Sequence, residues 1–141
     1  MAYDKTLRWS AFAFGLFFGL VVVLGYIPSL NEGMGHVSMH EPGEHKMFGL
    51  YMIGAADDVT HGLTAVVFLL AAALSAKASR LVLLAFGWYY AIDAGIYLIT
   101  GMVQHKPVGS NILLNLPHVV LSSIMLSLAY RGMRAGGRAD R

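Results

Sequence analysis

Four stretches of about 20 mostly apolar residues, the length a helix needs to cross the hydrocarbon of a bilayer, constrain this chain more than any other feature. They run over about 9–27, 55–76, 81–103 and 112–130. The first holds no charge. The second is apolar after its opening Asp57, Asp58 and His61, the third is interrupted only by Asp93, and the fourth carries His118. Charged residues make up 13% of the 141, roughly half the share of a soluble domain. That balance argues against a soluble globule, a disordered tail or a nucleic-acid binder. With 0 cysteines, disulfides, iron–sulfur clusters, thiolate zinc sites and cysteine nucleophiles are excluded. The expected fold is all-α: one integral membrane domain over 1–141, a bundle of four transmembrane helices.

The basic residues orient it. Lys5, Arg8, Lys77, Arg80, Arg131, Arg134, Arg138 and Arg141 fall on one side of the spans, and only Lys46 and Lys106 on the other. Such a bias over short loops places the richer side in the cytoplasm. Both termini, the tight 76–80 turn and the basic tail 131–141 are expected inside, the tail as a flexible anchor near anionic headgroups. Loops 28–54 and 104–111 are expected outside. Lys5 and Arg8 ahead of an apolar run also resemble the start of a signal peptide. No small-x-small cleavage site follows in Ile27-Pro28-Ser29-Leu30, so an uncleaved span is expected.

Small residues predict where helices approach closely. Gly15 and Gly19 form a GxxxG in the first span. Ala91 and Gly95 in the third, and Ser123 and Ser127 in the fourth, repeat that spacing. Packing within the chain is the expected use, and dimerisation the alternative.

The second and fourth spans open alike, with Asp58-Val59-Thr60-His61 and Asn115-Leu116-Pro117-His118. Each follows a helix running the other way, so the chain reads as two helical hairpins. Asp58 and Asn115 are expected near helix starts, where their side chains cap free N–H groups. Pro117 suits a first turn, where its missing N–H costs nothing. The stretch from Phe48-Gly49-Leu50-Tyr51 through Asp57-Asp58-x-x-His61-Gly62-Leu63, together with Asn115-Leu116-Pro117-His118, resembles a family of uncharacterised bacterial four-helix membrane proteins with paired Asn/Asp-x-x-His motifs. The likeness covers about residues 9–130 and implies the fold alone. This chain departs from it in its long His/Met loop and in Pro117, which stands where a polar residue is expected.

All six histidines fall on the outward side of this topology. Asp57, Asp58, His61, Asp93, Asn115 and His118 form an expected buried polar cluster. His61, Asp93 and His118 lie at similar depths, roughly 10–13 Å from the outward span ends. An ionised Asp in hydrocarbon is costly, so Asp93 should face the bundle interior and find a partner. Tyr89, Asp93 and Tyr97 form a stripe suited to hydrogen bonding. The cluster has several readings: a helix-capping and register-fixing core, a metal site, a proton-accepting site, or a haem held by His61 and His118. The outward loop adds His36, Met39, His40, His45 and Met47. Imidazole with thioether in an oxidising compartment suits copper above other metals, with zinc next. His105, beside Lys106-Pro107, is expected to be solvated.

No GxxxxGK[ST], HExxH, GxSxG or GxGxxG occurs, which removes the common phosphate-loop, zinc-protease, serine-hydrolase and dinucleotide classes. The leading expectation is a non-catalytic accessory or scaffolding subunit of a complex in the bacterial inner membrane. Its partners would be the lipid bilayer and other membrane subunits or a second copy of itself, and no catalytic residue is assigned. The alternatives are an outward-facing copper protein, with His61 and His118 beneath the loop ligands, and a bis-His haem protein.

Overall fold

A computed structural model of the chain describes residues 2–32 and 45–139. Four helices carry the architecture: α1 (Ala2–Gly25), α2 (Ala55–Leu74), α3 (Ala76–Val103) and α4 (Val108–Ala139). All four are long and apolar enough to cross a membrane. Among the described residues, three short strands lie between α1 and α2: β1 (Asn31–Glu32), β2 (His45–Met47) and β3 (Tyr51–Ile53). The chain divides into two compact units, residues 12–70 and residues 1–11 with 71–141.

Unit 12–70 is built on aromatic packing between α1 and α2. Phe18 and Phe68 are fully buried, with ring centroids 6.0 Å apart, and Phe14 meets Phe68 at 5.7 Å. Gly15 lets the backbones close: a Cβ there would come within 2.7 Å of Leu69 and 3.1 Å of the Ala65 carbonyl. Gly19, the other half of the motif, has ordinary room beside Ala65. In this unit, the GxxxG contact is therefore internal to the chain and rests on Gly15. Where α1 ends, buried Asn31 reaches back and donates from Nδ2 to the carbonyls of Leu24 (2.9 Å) and Ile27 (2.6 Å). Both carbonyls also accept a tight backbone bond, from the Ile27 N–H (3.2 Å) and the Leu30 N–H (3.0 Å), and the amide adds a second partner to each where the i+4 helical bond is missing.

The segment expected as plain loop contains a small antiparallel sheet in the order β1-β2-β3. Glu32 pairs with Lys46, Asn31 with Met47, and Met47 in turn with Tyr51. Met47 and Ile53 are buried while Met52 is exposed, the alternation a one-sided sheet requires. Gly54 then leads straight into α2.

In unit 1–11 with 71–141, α2 and α3 are separated by one residue. Ser75 is extended (φ −168°, ψ 163°), and its Oγ accepts from the Ala78 N–H at 3.0 Å, an N-cap. The break expected at 76–80 is thus at Ser75, and those five residues are the first turn and a half of α3. Buried Ser79 donates from Oγ to the Ala71 (3.1 Å) and Ser75 (2.9 Å) carbonyls, tying the two helix ends together. Arg8 completes the junction, donating from Nε to the Ala72 carbonyl (2.8 Å) and from Nη2 to that of Ala73 (3.2 Å). A guanidinium over the last carbonyls of a helix complements its negative end.

The seam between α3 and α4 follows a heptad rhythm. On α3 the buried positions are Ser79, Leu83, Gly87, Tyr90, Ala94 and Gly101. On α4 they include Asn111, Asn115, Ser122, Met125 and Ala129. The close approaches are at Gly87, where a Cβ would meet Leu126 at 2.9 Å, and at Gly101, where it would collide with Asn111. Gly95 has open space, so the expected Ala91/Gly95 contact is replaced by Gly87 and Gly101. Ser122 is buried in place of Ser123 and Ser127.

Helix α3 stops in a Schellman motif. The His105 N–H donates to Met102 O (3.1 Å) and the Lys106 N–H to Gly101 O (2.9 Å), with His105 itself left-handed at φ 54°. Helix α4 starts four residues before the expected span and runs through the basic stretch to Ala139, so 131–139 is helix, not a flexible tail. Pro117 accordingly sits inside α4 and not in its first turn.

Candidate functional site

The polar residues singled out by sequence fall into both units. In unit 12–70, Asp57 is at the third position of α2, and its Oδ2 accepts from the Gly54 N–H at 3.0 Å. Asp57 therefore caps α2 where Asp58 was expected to, because a carboxylate at this position reaches back over the first turn. Asp58 faces Tyr26 instead. Its charge, and the hydrogen bond it accepts from the Tyr26 hydroxyl, raise that phenol above its ordinary value of 10.0. His61 lies one turn further, with Nδ1–H donating to the Asp57 carbonyl at 2.7 Å and the ring stacked on Phe18 at 5.8 Å.

In the other unit, Asp93 on α3 meets His118 on α4. His118 Nδ1 lies 2.9 Å from Asp93 Oδ2, and the two side chains are 30% and 28% exposed. Tyr90 and Tyr97 flank the imidazole, with centroid distances of 5.3 Å and 6.5 Å. Tyr90, Asp93 and Tyr97 share one face of α3 by their spacing. Tyr89, expected in that stripe, is half exposed and packs on the Tyr90 ring instead.

Below and above His118 the α4 seam is polar. Asn111, Asn115, His118 and Ser122 recur at spacings of four, three and four, and span about 16 Å of helix. Asn111 donates from Nδ2 to the Leu98 carbonyl across the seam at 3.0 Å. Asn115 donates to the Asn111 carbonyl (2.7 Å) and side-chain oxygen (3.2 Å). Asn115 is therefore two turns inside α4, bonded along its own helix, and not an N-cap. Ser122 donates to the Val119 carbonyl at 3.0 Å. The sequence reading missed Asn111, Ser122 and Tyr90; the heptad spacing of α4 carried the signal for the first two.

Each of the two histidines has Nδ1 against an oxygen, which is how a second contact fixes an imidazole and turns Nε2 toward any further ligand. Among the described residues, no three His, Asp or Glu side chains gather as a metal ion would require. Of the loop ligands expected from sequence, His36, Met39 and His40 lie outside the described residues. His45 is in β2, and Met47 is buried. Comparison of the chain with family models, curated proteins and solved structures returns no match.

Proposed function

We propose that this chain is a non-catalytic accessory or scaffolding subunit of a complex in the bacterial inner membrane, folded as two helical hairpins with both termini in the cytoplasm. One observation carries the reading: the hydroxyl and amide side chains of the helices bond chiefly to the chain's own backbone. Thr60 donates to Ala56 O, Thr64 to Thr60 O, Ser79 to Ala71 O, Asn111 to Leu98 O, and Ser122 and Ser123 to Val119 O. Ser79 and Asn111 tie one helix to the next, while Thr60, Thr64, Ser122 and Ser123 are satisfied within their own helix and leave little polar surface for a reaction. Large apolar residues cover the outer faces, among them Leu16, Leu20, Leu70, Ile92, Ile96 and Ile99. In a bilayer these faces meet lipid or another helix.

The orientation is supported by the basic-residue bias, and the hairpins by the internal contacts. Gly15 opposite Leu69 with Gly19 opposite Ala65, and Gly87 opposite Leu126 with Gly101 opposite Asn111, pair rising with falling residue numbers.

Native mass spectrometry of the protein extracted from its own membranes in mild detergent tests the function. The expected species contains further subunits in fixed ratio. A monomer with stoichiometric metal would overturn the reading.

A second reading, outward copper or zinc binding by His36, Met39, His40, His45 and Met47 with His61 and His118, has one observation in its favour. Strands β1 and β2, which flank the segment carrying His36 and His40, pair Glu32 with Lys46. Elemental analysis of H36A/H40A/H45A against the parent tests it; equal metal content in the two would sink it. A Soret band in the same preparation would point instead to bound haem.

A further inference from the structure

The β2–β3 hairpin of unit 12–70 ends in a tip that is expensive to keep in water. Met47 and Tyr51 are its last paired residues, leaving Phe48, Gly49 and Leu50 as the turn. Phe48 is left-handed at φ 53° and Gly49 at φ 67°. The glycine suits that conformation, but a bulky aromatic residue there is an outlier, because its Cβ crowds the backbone. Asn or Gly would make the same turn without strain. What Phe48 adds is a ring, and the ring faces outward: Phe48 is 52% exposed, Leu50 51% and Met52 54%.

The tip is also held in place. The Phe48 N–H donates to the Leu30 carbonyl at 2.8 Å, binding the turn to the chain that leaves α1. One residue after β3, Gly54 is locked by Asp57 into the start of α2. Met47 and Ile53 are buried on the inner side of the sheet, so the hairpin cannot roll its apolar tip inward without exposing them. It is thus fixed to the ends of two helices that are long and apolar enough to span a membrane. Those helix ends carry exposed apolar side chains of their own, namely Val23, Val59 and Leu63, with Tyr26 beside them. Tyrosine at a span end is a residue of the headgroup level.

We propose that the Phe48-Gly49-Leu50 tip inserts into the headgroup–acyl boundary of the leaflet at this end of α1 and α2, as a lipid anchor distinct from the helices. The strands themselves stay at headgroup level, because unpaired strand edges are not tolerated in hydrocarbon. Exposed Lys46 on the same hairpin places an ammonium where lipid phosphates lie. The inference rests on the membrane-spanning reading of the helices.

The test uses full-length protein in nanodiscs prepared with lipids brominated either near the headgroup or near the chain end. In a W9F/W88F background, F48W reports the tip, and L50W is a second probe if the first variant folds poorly. Trp88 alone, in W9F, reports the middle of α3. The expected result is blue-shifted emission from F48W, quenched more by the shallow bromines than by the deep ones, with Trp88 quenched chiefly by the deep ones. Red-shifted F48W emission that responds to aqueous iodide and ignores both lipids would overturn the anchor while leaving the spans intact. Blue-shifted emission without bromine quenching, reversed when nanodiscs hold a single chain, would overturn it in favour of a second copy. If Trp88 ignores both lipids, the spanning reading fails and the anchor falls with it.

Discussion

Asp93 and His118 show what a single position reveals before the fold is known. Residue counting placed Asp93 at the depth of two histidines and required a partner for it, and it is His118 that Asp93 meets. The choice depended on which face of α4 turns to α3, which no count of depth supplies. A double-mutant cycle of D93N and H118Q, read as unfolding free energy in detergent, should give a coupling of about 1 kcal/mol, the scale of polar pairs in membrane helices. Strict additivity would remove the pair from the interactions that hold α3 to α4. Tyr26 gives a second residue-scale prediction. Because Asp58 raises its phenol, the Tyr26–Asp58 interaction is intact below the ordinary phenol range and is lost as pH rises through the elevated value. In ultraviolet titration, the phenolate signal assigned by Y26F should move to lower pH in D58N, and an unmoved signal would deny the contact. Arg8 was legible only as a topogenic charge. Its bonds to Ala72 and Ala73 join residues 64 and 65 apart, and nothing local announces them.

The elements were legible in kind, and the start of α2 and the end of α3 were placed correctly, but the other ends were not. Apolar length alone identifies four helices, but it cannot see a helix that continues past the apolar run, as α4 does at both ends. Nor can it see a one-residue break: Ser75 carries an N-cap signature, yet the apolar pattern flows past it. Small residues also needed the fold to be ranked. G87A and G101A should each lower stability by about 1–3 kcal/mol, since the added methyl meets Leu126 or Asn111 in a packed seam. G95A, facing open space, should leave the melting temperature unchanged or slightly raised, and an equal loss in all three would refute this ranking. The end of α3 offers the reverse experiment. His105 occupies a left-handed position that glycine prefers, so H105G should stabilise the protein by about 1 kcal/mol; thermal melting reads it. The end of α3 was legible all the same, from the loss of apolar residues after Val103.

At the scale of the whole molecule, the chain lends itself to mapping because it contains 0 cysteines. Single cysteines replacing Lys46 or Lys106 should react with an impermeant maleimide on intact cells, and those replacing Lys77 or Arg134 only after lysis. The opposite pattern would invert the proposed orientation. The three-stranded sheet between α1 and α2 was invisible from sequence, because strands of two and three residues are too short to show alternation. Its register has a consequence for engineering. Glu32 and Lys46 stand opposite one another, so the chain leaves the sheet and returns to it at the same place. The free energy of closing a segment between two such fixed points grows only with the logarithm of its length. A folded reporter domain with adjacent termini, spliced between these two residues, would hang from the sheet without pulling on either helix.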